Sequence, residues 1–151
     1  MTHIKLHGGP CGAQWLADFN GCQCAPSLLA CAKELETACC RIIEASALKM
    51  MGRVFHQFEP FGATGLILLA ESHLGIHTWP EFSSVAIDLY VCNVAEDNSA
   101  KAQRVFQELL SLFSPYDNTH QIIQRGQLVV PRGLASQTGS QLTAPLTNGI
   151  N

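Results

Sequence analysis

Residues 85–92, VAIDLYVC, alternate without a break. In an extended chain Val85, Ile87, Leu89 and Val91 share one face, while Ala86, Asp88, Tyr90 and Cys92 take the other. A strand with one apolar face has to cover it with a second layer, and the flanking sequence supplies candidates. Downstream, a helix starting near Asn98 or Ser99 carries Ala102, Val105, Phe106, Leu109, Leu110 and Phe113 at helical spacing before Pro115 stops it. Upstream, Ser27 is expected to cap a helix that keeps Leu28, Cys31, Ala32, Leu35, Cys39, Ile42 and Ile43 on one side.

Further extended segments are expected at 13–19 (AQWLADF), at 54–58 before Pro60 and Gly62, at 65–70, and at 120–130. The run 65–70 continues into the polar stretch that follows it. The resulting order, β-α-β-β-β-α-β, predicts an α+β fold: a two-layer sandwich, mainly antiparallel sheet, with two helices packed on one face. The other sheet face is left bare, and two such faces could meet in a dimer. Residues 1–12 read as a loose N-terminal arm and 13–130 as a single domain. Residues 131–151, rich in Ser, Thr, Gln, Gly and Pro, read as a disordered tail.

At 151 residues the chain is long enough for one core without crosslinks. It is 47% hydrophobic and only 14% charged, with net charge −3 and scattered basic residues, which argues against nucleic acid as a partner. The longest strongly apolar run, Leu66 to Ala70, is far too short to span a bilayer, and no secretion signal opens the sequence. The seven cysteines, Cys11, Cys22, Cys24, Cys31, Cys39, Cys40 and Cys92, are odd in number and read as free thiols in a reducing cytoplasm. Their C-x-C and C-C spacings match no usual zinc knuckle, and small buried hydrophobes are the simpler reading.

The chemistry concentrates in residues 70–82, AESHLGIHTWPEF, where Glu71, Ser72, His73, His77 and Glu81 crowd together. His73, His77 and Glu81 would align as metal ligands on a helix, but Pro80 and Gly75 oppose a helix there. On a strand, four residues span about 13 Å, too far for one ion, so no metal site is expected. A serine hydrolase would want Ser72 on a G-x-S-x-G elbow, and A-E-S-H is not one. The plain alternative, strand residues with satisfied hydrogen bonds, fits a single histidine better than this cluster.

The block L-L-A-E-S-H-L-G-I-H-T-W-P-E (68–81), followed by A-I-D-L-Y-V-C (86–92), resembles the prokaryotic short-chain S-adenosylmethionine decarboxylases. The segment F-H-Q-F-x-P-F-G-x-x-G (55–65) fits the same pattern at the right distance, and the resemblance extends loosely from Ala13 to Val130. It implies a pyruvoyl-dependent enzyme that cuts itself between Glu71 and Ser72. In that chemistry the Ser72 hydroxyl attacks the Glu71 carbonyl and forms an ester by N-to-O acyl shift. Loss of the Cα proton then expels the Glu71 carboxylate and leaves dehydroalanine, which hydrolyses to a pyruvoyl group with release of ammonia.

The resemblance assigns roles to other residues as well. His77 corresponds to the processing histidine, imidazole being suited to proton removal near neutral pH. Thr64 stands where relatives usually have a processing serine. Cys92 corresponds to the cysteine that returns a proton to the substrate, although a buried strand cysteine would look the same. Phe58 corresponds to the aromatic that stacks on adenine and Glu81 to the carboxylate that binds the ribose hydroxyls; Phe58 and Trp79 also suit a plain core.

The implied substrate is S-adenosylmethionine. Its amine would form a Schiff base with the pyruvoyl ketone, the electron sink that PLP provides elsewhere, so no PLP is expected. The product, S-adenosyl-3-methylthiopropylamine, is the aminopropyl donor for spermidine. A cytoplasmic homodimer of processed protomers is implied, with no membrane partner. Thr64 for serine, Gly75 for a hydroxyl residue and Asn93 for glycine depart from the pattern. They leave open arginine or ornithine as substrate, or a homologue that does not process and serves a regulatory role.

Overall fold

The computed structural model describes residues 10–94 and 96–127. The chain runs β1 (Pro10–Cys22), α1 (Pro26–Ala30), α2 (Ala32–Ala45), β2 (Met50–Gln57), β3 (Ala63–Leu69), β4 (His73–Trp79), a short 3₁₀ turn (Pro80–Phe82), β5 (Ser84–Cys92), α3 (Ser99–Phe113) and β6 (Pro115–Gln127). The strands form one sheet in the order β2-β3-β4-β5-β1-β6, and every neighbouring pair is antiparallel. This is the α+β two-layer sandwich expected from the sequence.

The alternation at 85–92 works as read. Val85, Ile87, Leu89 and Val91 are buried beneath the helices, in one core with Phe19, Leu35, Ile43, Phe106 and Phe113. Phe19 packs its ring 5.9 Å from Phe106 and 6.3 Å from Phe113, which clamps α3 onto β1. Burial of these apolar side chains is the main force holding the two layers together. Cys39 lies fully inside this core, and Cys22, Cys24 and Cys40 pack against its edge, so these four behave as small hydrophobes.

Three details depart from the expected order. The helix expected from Ser27 is two helices, because Cys31 is extended at φ −115° and ψ 115°. Pro26 opens α1 and Ala25 holds the cap position; Ser27 lies inside the turn, where its carbonyl accepts the Cys31 N–H. Side chains from the sheet satisfy the backbone groups freed at this break. Gln57 donates to the Ala30 carbonyl at 2.8 Å and accepts from the Ala32 N–H at 2.7 Å, while Thr78 donates to the Leu29 carbonyl at 2.7 Å. Such partners lie far away in sequence, so helical periodicity alone cannot show the break.

Secondly, the run 65–70 does not continue unbroken into the polar motif: β3 ends at Leu69 and β4 begins at His73, giving six strands. The tip between them is tied by Leu69 N–H to the Ser72 carbonyl at 2.9 Å and by Ala70 N–H to Lys49 at 3.0 Å. Thirdly, the first and last strands of the sequence are longer than expected. β1 starts at Pro10, inside the segment read as an arm, and β6 starts at Pro115 directly after α3. The rest of the arm and the tail at 131–151 lie outside the described residues.

All three helices cover the same side of the sheet. The other side carries Val54, Leu66, Leu68 and Ile123 exposed to solvent, with Val54 at 65% and Leu68 at 52%. The polar residues of the 70–82 motif share this bare face, because Leu74, Ile76 and Thr78 alternate inward beneath the helices while His73, His77 and Trp79 do not.

Candidate functional site

The bare face holds two groups of polar residues at opposite ends of β4. The first is built on the β3–β4 pair. Thr64 and His77 are direct cross-strand partners, and Thr64 Oγ1 lies 2.6 Å from His77 Nδ1. Beside them an open cleft of about 530 Å³ is lined by Phe58, Phe61, Thr64, His77, Trp79 and Glu81. The 58–62 loop shapes one wall. Phe58 N–H donates to the Gly62 carbonyl at 2.9 Å, and Gly62 sits at φ +99°, where a side chain would be strained.

Gln57 also donates to the Phe58 and Gly62 carbonyls, so one amide side chain braces both this loop and the helix break. Glu81 is delivered by the 3₁₀ turn that Pro80 begins and that Ser83 closes in the left-handed conformation. An aromatic wall, one carboxylate and a hydroxyl–imidazole pair make a site for a flat, polar, cationic organic molecule.

The second group surrounds the β3–β4 tip. Ser72 lies in the tip itself, and the β4–β5 ladder ends at His73↔Tyr90, two residues before Cys92 closes β5. Cys92 is 7% exposed, and its Sγ lies 3.4 Å from Cys11 Sγ on β1. Burial, and then the neighbouring Cys92 thiol, push the Tyr90 phenol above its ordinary range.

A chain of polar contacts crosses four strands next to these groups. Arg125 Nη1 donates to Gln14 Oε1 at 2.5 Å, Gln14 Nε2 donates to Asp88 Oδ1 at 2.7 Å, and Asp88 lies 3.6 Å from His73 Nε2. The Arg125 guanidinium also sits 5.1 Å from the centre of the Tyr90 ring. With both Asp88 and Tyr90 held by these contacts, β6, β1, β5 and β4 are registered at the reactive end of the sheet.

The structure therefore gathers Thr64, His77, Phe58 and Glu81 at one cleft, and leaves Ser72 in the tip before β4 and Cys92 at the end of the neighbouring strand β5. It does not bring the two sets together within one chain. His73 and His77 are on the same strand face, and at about 3.3 Å per residue the strand separates them by about 13 Å. Among the described residues, no three His, Cys, Asp or Glu side chains converge as a metal site would need. Sequence reading did not single out Cys11, Gln14, Gln57 or Arg125. Tyr90 was visible on the alternate face of VAIDLYVC beside Asp88 and Cys92, but the others are revealed only by strand pairing.

A two-layer α+β domain whose candidate site residues gather on the bare side of its sheet is the class that fold and site define. Within that class the chain belongs to the S-adenosylmethionine decarboxylase family, whose sequence profile matches residues 13–126. The chain is 32% identical over 122 residues to the S-adenosylmethionine decarboxylase proenzyme of Hydrogenobaculum sp. (strain Y04AAS1), covering 81% of this chain and 87% of that one. It is 33% identical over 123 residues to the proenzyme of Thermoplasma volcanium, covering 82% and 90%. The crystal structure of the adenosylmethionine decarboxylase from Aquifex aeolicus superimposes with a TM-score of 0.70 at 27% identity, over 82% of this chain and 96% of that one. No helix among the described residues is long and apolar enough to cross a membrane.

Proposed function

We propose that this chain is a proenzyme that matures by cutting itself between Glu71 and Ser72 and then decarboxylates S-adenosylmethionine. The carrying observation is the division of its chemistry into two half-sites, one around Ser72 and Cys92 and one around Thr64 and His77. Ser72 suits the cofactor precursor because it lies in the hairpin tip, outside β3 and β4, where a break in the chain leaves both strands paired.

The pyruvoyl group formed from Ser72 would supply a ketone for the substrate amine and an electron sink for loss of CO2. Cys92, at the end of β5, is positioned to hold the proton returned to the substrate carbon. Tyr90 stands two residues before that thiol, on the same face of β5. Thr64 and His77, within 2.6 Å, form a proton-transfer pair for the cleavage reaction. Phe58 offers a flat face to the adenine, and Glu81 offers its carboxylate to the ribose hydroxyls. The aromatic wall with Trp79 suits the sulfonium cation.

The Thr64–His77 pair, at the end of β4 remote from Ser72, cannot reach the 71–72 bond of its own chain. A dimer joined by its bare sheet faces brings them together: with the two β4 strands opposed end for end, the Thr64–His77 cleft of one protomer meets Ser72 and Cys92 of its partner. The exposed Val54, Leu66, Leu68 and Ile123 provide the apolar area such an interface needs.

Mass spectrometry of the purified protein tests the reading. It should find chains of residues 1–71 and 72–151, the second blocked at its N-terminus, and Ser72→Ala should stay whole. Carboxyl-labelled S-adenosylmethionine should release CO2 where labelled arginine and ornithine do not. A purified wild-type chain that never matures would remove the enzyme reading altogether.

A further inference from the structure

Cys11 and Cys92 come from segments 81 residues apart, yet their sulfurs are 3.4 Å from each other. A disulfide needs about 2.05 Å between sulfurs, so closure requires a shift of little more than an ångström. The backbone around the pair is already held. Gly12 pairs with Cys92 in the β1–β5 ladder, and Asn93 N–H donates to the Cys11 carbonyl.

Gly126 on β6, at φ +76°, leaves the space that the Cys11 thiol occupies, and a Cβ there would overlap the sulfur. The Cys11 side chain is therefore steered toward Cys92 by the absence of a side chain on the neighbouring strand. Cys11 is half-buried, which gives a small oxidant a way in, while Cys92 is nearly covered.

We infer that Cys11 and Cys92 form a reversible disulfide, a modification site that silences the enzyme and ties its two chains together. The inference rests on the proposed function for its consequences. Cleavage after Glu71 leaves Cys11 on the short chain and Cys92 on the long one, so the bond is an interchain link. It also takes away the thiol proton that Cys92 would return to the substrate.

With hydrogen peroxide as oxidant the step balances. One thiol gives up its proton, and the thiolate attacks the O–O bond to form a sulfenic acid; the expelled hydroxide takes that proton up as water. The second sulfur displaces hydroxide from the first to form S–S, and the displaced hydroxide takes the remaining thiol proton as a second water. Burial first, and the neighbouring Cys92 second, push the Cys11 thiol above its ordinary range. Because thiolate is the reacting form, oxidation should quicken several-fold per pH unit above neutrality.

The test uses the purified processed protein, reduced, desalted, treated with hydrogen peroxide and then alkylated. On a non-reducing gel the two chains should migrate as one species. Peptide mapping should find a Cys11–Cys92 pair lighter by two hydrogens, and activity should fall at least tenfold and return with dithiothreitol. Cys11→Ser should give two separate chains after peroxide, with no peptide in which Cys92 is crosslinked. Full alkylation of Cys11 and Cys92 after peroxide, or crosslinks that map to Cys22, Cys24, Cys31 or Cys40, would overturn the inference. Peptide mapping remains decisive if the chain proves uncut. A mapped Cys11–Cys92 bond with unchanged activity would leave the modification site standing and remove Cys92 from catalysis.

Discussion

Thr64 Oγ1 and His77 Nδ1 lie 2.6 Å apart across the β3–β4 ladder, at the end of β4 remote from Ser72. A hydroxyl this close to an imidazole is a ready proton-transfer pair, but it faces no scissile bond in its own chain. If the pair acts on a partner protomer, complementation follows. His77→Ala alone should be cut at least 100-fold more slowly than the parent, in line with loss of a general acid–base group. Co-expressed with Ser72→Ala, which cannot be cut but carries an intact His77, the His77→Ala chain should be rescued in mixed dimers. Gel analysis with one chain tagged reads this directly. An absence of rescue in verified mixed dimers would sink the shared-site arrangement.

Cys92 separates self-cleavage from turnover. Cys92→Ala removes the thiol proton without touching Ser72, Thr64 or His77. It should therefore mature normally while its kcat falls by about two to three orders of magnitude. Matured Cys92→Ala with full activity would assign the proton return to another group. Tyr90, which neighbours Cys92 on the same face of β5, would be the next residue to test.

Thr78 is a structural support beneath the cleft. It is 4% exposed, accepts the Ala63 N–H at 2.9 Å and donates to the Leu29 carbonyl at 2.7 Å. Thr78→Val keeps the shape and strands both backbone groups, so it should cost about 1–3 kcal/mol in urea unfolding. Because Thr78 ties α1 to the strand that carries His77, maturation should slow as well. A stability change below about 0.5 kcal/mol would mean that α1 is held by apolar contacts instead.

The core thiols set a limit on the alkaline side. Burial pushes Cys39 up from 9.0 to about 12 and Cys22 to about 11. Both groups keep their protons in the folded state and would release them on unfolding. Their contribution is therefore complete below pH 9.0 and is lost as pH rises through about 11 for Cys22 and about 12 for Cys39. Within that window the fully buried Cys39 should steepen the loss of stability by up to about 1.4 kcal/mol per pH unit, and the part-exposed, solvent-screened Cys22 by less. Cys39→Ala, compared with the parent by thermal unfolding between pH 8 and 10, should show a shallower alkaline decline. An unchanged slope would place the titration elsewhere.

Sequence alone determined the elements whose signal is local. VAIDLYVC alternates because its strand faces a core on one side only, and α3 keeps helical spacing because one stripe of it is buried. Ser72, His77, Thr64 and Cys92 could be named as candidates because a motif, unlike a contact, is read along the chain. The break at Cys31 was not legible, since it depends on Gln57 and Thr78 capping backbone groups from distant strands. Cys11, Gln14 and Arg125 carry no local signature either, and they become neighbours of Cys92, Asp88 and Tyr90 only when β1 inserts between β5 and β6. The separation of the two half-sites was likewise hidden. In the sequence Ser72 and His77 look adjacent, but a strand advances about 3.3 Å with each residue, and only folding converts that short interval into opposite ends of a sheet.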